Sequence, residues 1–410
     1  MQQEELIPHL FRTEYSKIVA VLCKLFGIGY IALAEDITSD TFMLATETWG
    51  QKGLPQNPAA WLYTVAKNKA KDTLKRNILF DKNIAPDIKR SGTEQYEMDI
   101  DLSDRNISDS QLQMMFTICN PCLTAESQIG LCLNILCGFG AEEIADAFLS
   151  SKETIYKRLA RAKEKLRTER IKIEFPSPED IAGRLNPVLT TLYLLFNEGY
   201  YSSSRNTSLR RELCVEAMRL NHMLTENDGT DLPQANALLA LMCFHSSRFD
   251  ARIDKDGAII LYEEQDENLW SKELIEKGEY YLNRASQGTY LSKYHLEAAI
   301  AYWHTKQKDT HEKWENILQL YNRLLQIEYS PAAALNRTYA VAKADGKEKG
   351  LIEAKKINLS GNHWYHALLA ELYTGIDDGE SLTQLSLALL YAKTTADKQV
   401  LEKKILTRVK

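Results

Sequence analysis

No uninterrupted apolar run in this 410-residue chain approaches the ~18–20 positions that a bilayer-spanning helix needs, so a membrane protein is not expected. The opening segment, MQQEELIPHLFRTEYSK, also lacks the basic-then-apolar pattern of a secretory signal. Both absences predict a cytoplasmic protein. Cysteine is sparse: seven residues, an odd number spread over a long chain, do not make a disulfide framework and suit a reducing compartment. Cys119 and Cys122 form a C-x-x-C with Cys132 and Cys137 nearby. A zinc site would want a second pair at ligand spacing, and Cys132 and Cys137 lie inside an apolar helical run, LCLNILCGF. The cysteines therefore read as buried free thiols, and neither a metal nor a cofactor is expected. No P-loop, G-x-S-x-G or H-E-x-x-H occurs, so the chain is not expected to be an enzyme. Asp254, Asp256, Gly257 and Glu263 match part of a calcium loop, but Arg252 stands where the first carboxylate belongs.

What is present is helical pattern and unevenly placed charge. Residues 138–172 read as two short helices joined by a tight turn. In the second, Ile155, Leu159, Ala162 and Leu166 recur at helical spacing, while Lys152, Thr154, Lys157, Arg158, Arg161 and Lys165 fall largely outside that stripe. Ser150 and Glu153 have the spacing of a capping box that would start this helix. From Lys152 to Lys172 there are nine Lys or Arg against three Glu, a local +6 in a protein of net charge −6. Such a concentration suits phosphate binding by counterion release; a solvated amphipathic helix carries such runs too.

Upstream, AEDITSDTFMLATETW (34–49) sets Asp36, Asp40 and Glu47 around an apolar stripe of Ile37, Thr41, Phe42, Leu44 and Ala45. A Pro-rich break, LPQNP, precedes AWLYTVAKNKAKDTLKR, where Trp61 and Tyr63 lead into Lys67, Lys69, Lys71, Lys75 and Arg76. Rings followed by a basic helix suit melting DNA, because bases stack while phosphates meet cations; a core role fits Trp61 as well. Residues 79–108 lose helical periodicity, and eight acids against four bases from Asp81 to Asp109 read as an acidic flexible linker. FPSP at 175–178 marks a second boundary. Beyond it, Ala299, Ala333 and Ala367 lie 34 residues apart in similar helical segments, a tetratricopeptide-type period. Tyr290, Tyr294, Tyr302, Trp303 and Trp314 read as helix-packing core, and 252–266 suggests a short hairpin.

AEDITSDTF, NPAAWLYTVAKNKAKD, an acidic linker and a helix-turn-helix in this order resemble the sigma-70 family, specifically its extracytoplasmic-function group. YLLFNEGY and EEQDENLW resemble the C-terminal extension of a subgroup carrying a tetratricopeptide-like domain. The resemblance implies an all-α protein: a region 2 helical bundle over 1–78, the linker 79–108, a region 4 helix-turn-helix over 109–175 and a helical-repeat regulatory domain over 179–410. It further implies binding of core RNA polymerase, through the β′ coiled coil and β flap, by Glu35, Asp36, Asp40, Thr41 and Phe42. Asn57, Trp61, Lys67, Asn68, Lys71 and Arg76 would meet the −10 element, and Lys152, Thr154, Lys157, Arg158 and Arg161 the −35 element. The implied function is promoter recognition, melting and transcription initiation, with 179–410 acting in cis or on a separate peptide partner. The alternative is a DNA-anchored helical-repeat scaffold that binds a protein.

Overall fold

The structure, a computed structural model, describes residues 3–80, 100–148, 150–201, 207–252, 260, 262–306, 308–357, 359–392 and 395–409. The chain is all-α, and no strand occurs among the described residues. It divides into two compact units, Met1–Gly199 and Tyr200–Lys410.

In the first unit, α1 (Gln3–Phe26) ends at Gly27, whose φ of 89° only glycine adopts without strain. A short turn, Ile28–Tyr30, leads into α2 (Ile31–Lys52). Ile31, Ala34, Ile37, Thr38, Thr41, Phe42, Ala45 and Trp49 are its buried positions, a helical stripe that packs on α1. The helix α3 (Pro58–Phe80) starts with Pro at its first position, where a missing N–H costs nothing. Ser103 caps α4 (Asp104–Ile118) by accepting from the Asn106 amide, so helix resumes inside the stretch read as linker; residues 81–99 lie outside the described ones.

The helix α4 packs on α1, and buried Gln111 donates to buried Ser16 across that contact at 3.3 Å. Next come α5 (Ala125–Leu131), a single π turn (Cys132–Leu136) closed by the Cys137 amide on the Cys132 carbonyl at 3.1 Å, and α6 (Ala141–Ala147). After α6, the Ser150 amide bonds to Ala145 O. That bond closes the preceding helix, and Ser151 rather than Ser150 caps α7 (Lys152–Thr168), accepting from Thr154 N at 3.2 Å. At the other end, Ile171 N reaches Leu166 O and Arg170 N reaches Arg167 O, a Schellman motif with Arg170 at φ 52° in the place glycine usually takes. The first unit runs on past Pro176 and Pro178 into α8 (Ile181–Tyr201). Arg184 donates to Phe116 O at 3.0 Å, and Thr191 to Gln128 at 3.0 Å.

The second unit is built around α10 (Pro233–Ser246), apolar on every side and therefore enclosed. It packs against α9 (Thr207–Thr225), α12 (Lys272–Ala285) and α13 (Lys293–His304). Gly278 of α12 lies against Phe244, and a Cβ there would fall 2.5 Å from the ring. Between α10 and α12 lie a short helix, α11 (Phe249–Arg252), and two 3-10 turns, Tyr262–Glu264 and Glu267–Leu269. The expected hairpin falls largely on 253–259 and 261, outside the described residues, and its described flanks are helix and 3-10 turn.

The remaining helices are α14 (His311–Ile327), α15 (Pro331–Asp345), α16 (Lys347–Ile357), α17 (His363–Tyr373), α18 (Asp378–Tyr391) and α19 (Thr395–Val409). Each packs chiefly on its neighbours in sequence. Their core is a series of layers: Leu296, Trp314 and Ala340, then Leu335, Leu351 and Leu369, then Ala370, Leu385 and Leu401. Trp314 and Tyr294 are core as expected, whereas Tyr290 is 67 % exposed. Ala333 is buried; Ala299 and Ala367, the other members of the 34-residue series, are half-buried.

Candidate nucleic-acid and polymerase interface

The basic helix α7 is held by Ile155, Leu159, Ala162 and Leu166, all buried, against α5 and α6. Burying such an Ile or Leu is worth about 1.5–3 kcal/mol, enough to fix which face looks outward. Lys152 pairs with Glu142 at 3.0 Å, and that partner pushes its pKa up. Lys157 pairs with Glu153 at 2.7 Å. Thr154 and Ser151 share a hydroxyl contact of 2.8 Å. Arg158, Arg161 and Lys165 have no ion-pair partner among the described residues. With Thr154 they sit at successive offsets of 4, 3 and 4, which aligns them along one side of the helix. Tyr156, 56 % exposed, stands beside them. Sequence reading passed over it, although an aromatic outside the apolar stripe is a signal for contact.

On α2, the expected polymerase-contacting set separates into outward and inward members. Asp36 and Asp40 are exposed, and Asp40 lies 3.6 Å from Lys69 of α3. Thr41 and Phe42 are core: the Thr41 hydroxyl donates to Ile37 O at 2.8 Å, and Phe42 packs on Phe11 and Tyr15. Leu44, expected in the buried stripe, is 37 % exposed, and Met43 is 62 % exposed. Asp36, Asp40, Met43, Leu44 and Glu47 thus form an outward face mixing acid and apolar groups, with the apolar pair the part that sequence reading missed.

Glu35 points elsewhere. Its carboxylate meets Lys163 of α7 at 2.5 Å, with both side chains about one-fifth exposed. The same helix packs on the Ile28–Tyr30 turn, so α7 rests against the start of α2.

On α3, Asn57 caps the helix by accepting from Ala60 N at 3.0 Å. Trp61 is half-buried and meets Trp49 edge-on at 5.2 Å. Tyr63 donates to buried Glu14, and burial together with that carboxylate pushes its pKa up. Lys67 and Lys71 are half-buried and Asn68 is exposed, while the side chain of Arg76 lies outside those described. No group of His, Cys, Asp and Glu able to hold a metal occurs among the described residues. Cys119 and Cys132 approach to 3.9 Å as buried thiols.

An acidic helix and a basic helix thus stand side by side, in a unit that also carries a helix with a row of cations. Residues 10–78 match the family model described as Sigma-70 region 2, and residues 184–286 match a family of unknown function, DUF6596. An uncharacterized protein of Rhizobium meliloti (strain 1021) is 34 % identical over 343 residues, covering 82 % of this chain and 80 % of its own. No solved structure matches the chain. A sigma-70 region 2 domain thus occupies residues 10–78, which supports a sigma-factor role in transcription initiation with binding of core RNA polymerase and promoter DNA. No described helix is long and apolar enough to cross a membrane.

Proposed function

We propose that this protein is a sigma factor of the extracytoplasmic-function group whose Tyr200–Lys410 unit is a tetratricopeptide-like regulator acting in cis. Core polymerase docks on the outward face of α2, through Asp36 and Asp40 with Met43 and Leu44 beside them. Asn57, Trp61, Lys67, Asn68, Lys71 and Arg76 meet the −10 element, where a flipped base costs a few kcal/mol that stacking and phosphate contacts offset. The α6–α7 pair is the region 4 helix-turn-helix, and Arg158 and Arg161, with Lys152, Thr154 and Lys157, enter the major groove at −35. Arginine there reads guanine edges bidentately, while the lysines set register on phosphates.

The observation that carries this reading is the row of cations on α7 in the same compact unit as the region 2 match. Layered packing of successive helices supports the repeat reading of the C-terminal unit. The test is run-off transcription with core polymerase on a pool of promoter fragments. The full chain is expected to transcribe a discrete subset, and Arg158→Ala/Arg161→Ala to lose it at least tenfold. A chain ending at Gly199 reports the sign of C-terminal control. Equal transcription by the double variant would refute the −35 assignment, and no transcription by folded full-length protein would refute the sigma-factor role.

A further inference from the structure

In the second unit, cations and N–H donors collect around Tyr262, far in sequence from every residue assigned above. Within about 6 Å of that ring are the Arg248 guanidinium (5.3 Å), the Lys313 ammonium (5.6 Å), the His304 ring (5.2 Å) and the Trp270 indole stacked at 6.1 Å. The Tyr262 hydroxyl donates to His304 O at 2.9 Å and accepts from Lys313 Nζ at 3.3 Å.

Lys313 is 2 % exposed, and its other hydrogen bond goes to the Lys306 carbonyl at 3.0 Å. A buried ammonium without a counter-charge is costly. Yet neither Lys313 nor Arg248 has an ion-pair partner among the described residues. Arg248 is half-buried, and its guanidinium donates to Tyr200 Oη at 3.4 Å. The nearby acids are spoken for or too distant. Asp309 is held by Lys343 at 2.7 Å and by the Trp314 indole, Glu263 accepts from Tyr339 at 2.7 Å, and Glu267 acts on Lys313 only from beyond pairing distance. Two buried nitrogens in the same cluster, Trp270 Nε1 and His304 Nδ1, have no hydrogen-bond partner among the described residues. Burial, with Arg248 and Lys313, drives His304 down to about 3 against the pull of Asp309, and burial drives Lys313 down although Asp309 and Glu267 oppose it, with Lys343 and Arg248 adding to the fall.

We propose that this cluster is a binding site for a small oxyanion. Arg248 and Lys313 supply the charge, the Trp270 N–H supplies a directional donor, and the rings of Tyr262 and Trp270 form the walls. Arg248, the half-exposed member, is the side of approach. Such a ligand supplies the counter-charge that Lys313 and Arg248 lack among the described residues and engages a donor that none of those residues pairs. Its source is a carboxylate on a compact organic body or a phosphate, and the titration distinguishes the two.

The experiment titrates the full chain by calorimetry with sodium benzoate and, separately, with sodium phosphate. Ionic strength is held constant with chloride, and the range runs to about 10 mM, tenfold above the millimolar constant of a weak specific site. One saturable site is expected for one of the two anions, with a matching rise in melting temperature by linkage. Arg248→Gln is expected to weaken it at least tenfold. Lys313→Met, which keeps the buried volume and removes the charge, is expected to abolish it while the protein still melts cooperatively. Saturation by benzoate alone assigns a carboxylate ligand, and by phosphate alone a phosphate. No saturation of the wild-type protein by either anion, or equal affinity in a folded Arg248→Gln protein, overturns the site.

Discussion

Arg158, half-buried, and Arg161, exposed, are the most informative side chains of the first unit, because neither meets a carboxylate among the described residues while Lys152 and Lys157 already hold one. Exposed ion pairs are worth little and exchange readily for phosphate, so the two classes differ in degree when DNA binds. Each phosphate contact contributes about 0.9 to the slope of log K against log salt. If both arginines meet phosphates or bases, Arg158→Ala/Arg161→Ala lowers that slope by up to about 2, measured by anisotropy on a promoter duplex across a salt series; an unchanged slope removes them from the interface. In the second unit, His304 makes a pH prediction. Its folded pKa of about 3 lies below the ordinary histidine value because burial and neighbouring cations disfavour the imidazolium. The unfolded chain therefore binds the extra proton first. The stabilisation from keeping His304 neutral is complete above about pH 6.5 and is lost as pH falls toward 3. His304→Asn should flatten that part of the melting-temperature profile relative to wild type, and parallel profiles would contradict the assignment. At this scale the sequence disclosed the charges but not always their direction. Thr41 and Phe42, placed in the apolar stripe by their spacing and among the polymerase contacts by resemblance, are buried, while Leu44, placed in the same stripe, faces out. Those neighbours differ by one or two positions on a helix that is apolar on several sides, so periodicity alone does not choose the inward face.

Elements were easier to read than their ends. The four apolar positions of α7 fall where a 3.6-residue repeat puts them, and the helix forms there. Its cap did not match, because two adjacent serines both offer a side-chain acceptor and the choice is made by the Ser150 amide, which closes the end of α6 on Ala145. The far end of α7 carries a testable cost. Arg170 occupies the left-handed position of its Schellman motif, where a Cβ costs on the order of 1 kcal/mol. Arg170→Gly should raise stability by about 0.5–1 kcal/mol, seen as a higher denaturant midpoint at unchanged m-value; a lower midpoint would show that the arginine side chain contributes more than its backbone costs. In the second unit, the close crossing of α10 and α12 depends on Gly278, whose missing Cβ leaves room for Phe244. Gly278→Ala should destabilise by about 1–3 kcal/mol through overpacking, despite alanine's better helix propensity, and a gain in stability would show that the ring has room to move.

At the level of the whole chain, the all-α class and the acidic-then-basic order of the N-terminal helices were legible, because both arise from local pattern. Two facts were not. The first unit extends through Gly199 rather than stopping at the prolines, since Arg184 and Thr191 bond back to Phe116 and Gln128. The contact of Glu35 with Lys163 joins positions 128 residues apart, and no local pattern announces it. On the sigma-factor reading, that contact lies beside the face that polymerase uses, and docking that also recruits Glu35 has to break it. Lys163→Gln should then tighten core-polymerase binding by about fivefold, the equivalent of a pair worth roughly 1 kcal/mol, while Lys165→Gln should not; equal affinities would mean that the contact does not compete. The π turn at Cys132–Leu136 has a different reach. It is one residue more than an α-turn holds, a rare feature that usually occurs as a single turn inside a helix. The helix goes no further than Cys137: Gly138, at φ 71°, turns the chain out of it before α6 starts at Ala141. The wide turn therefore helps decide where one helix stops and the α6–α7 pair begins, while the outward side of α7 is chosen by its own apolar stripe.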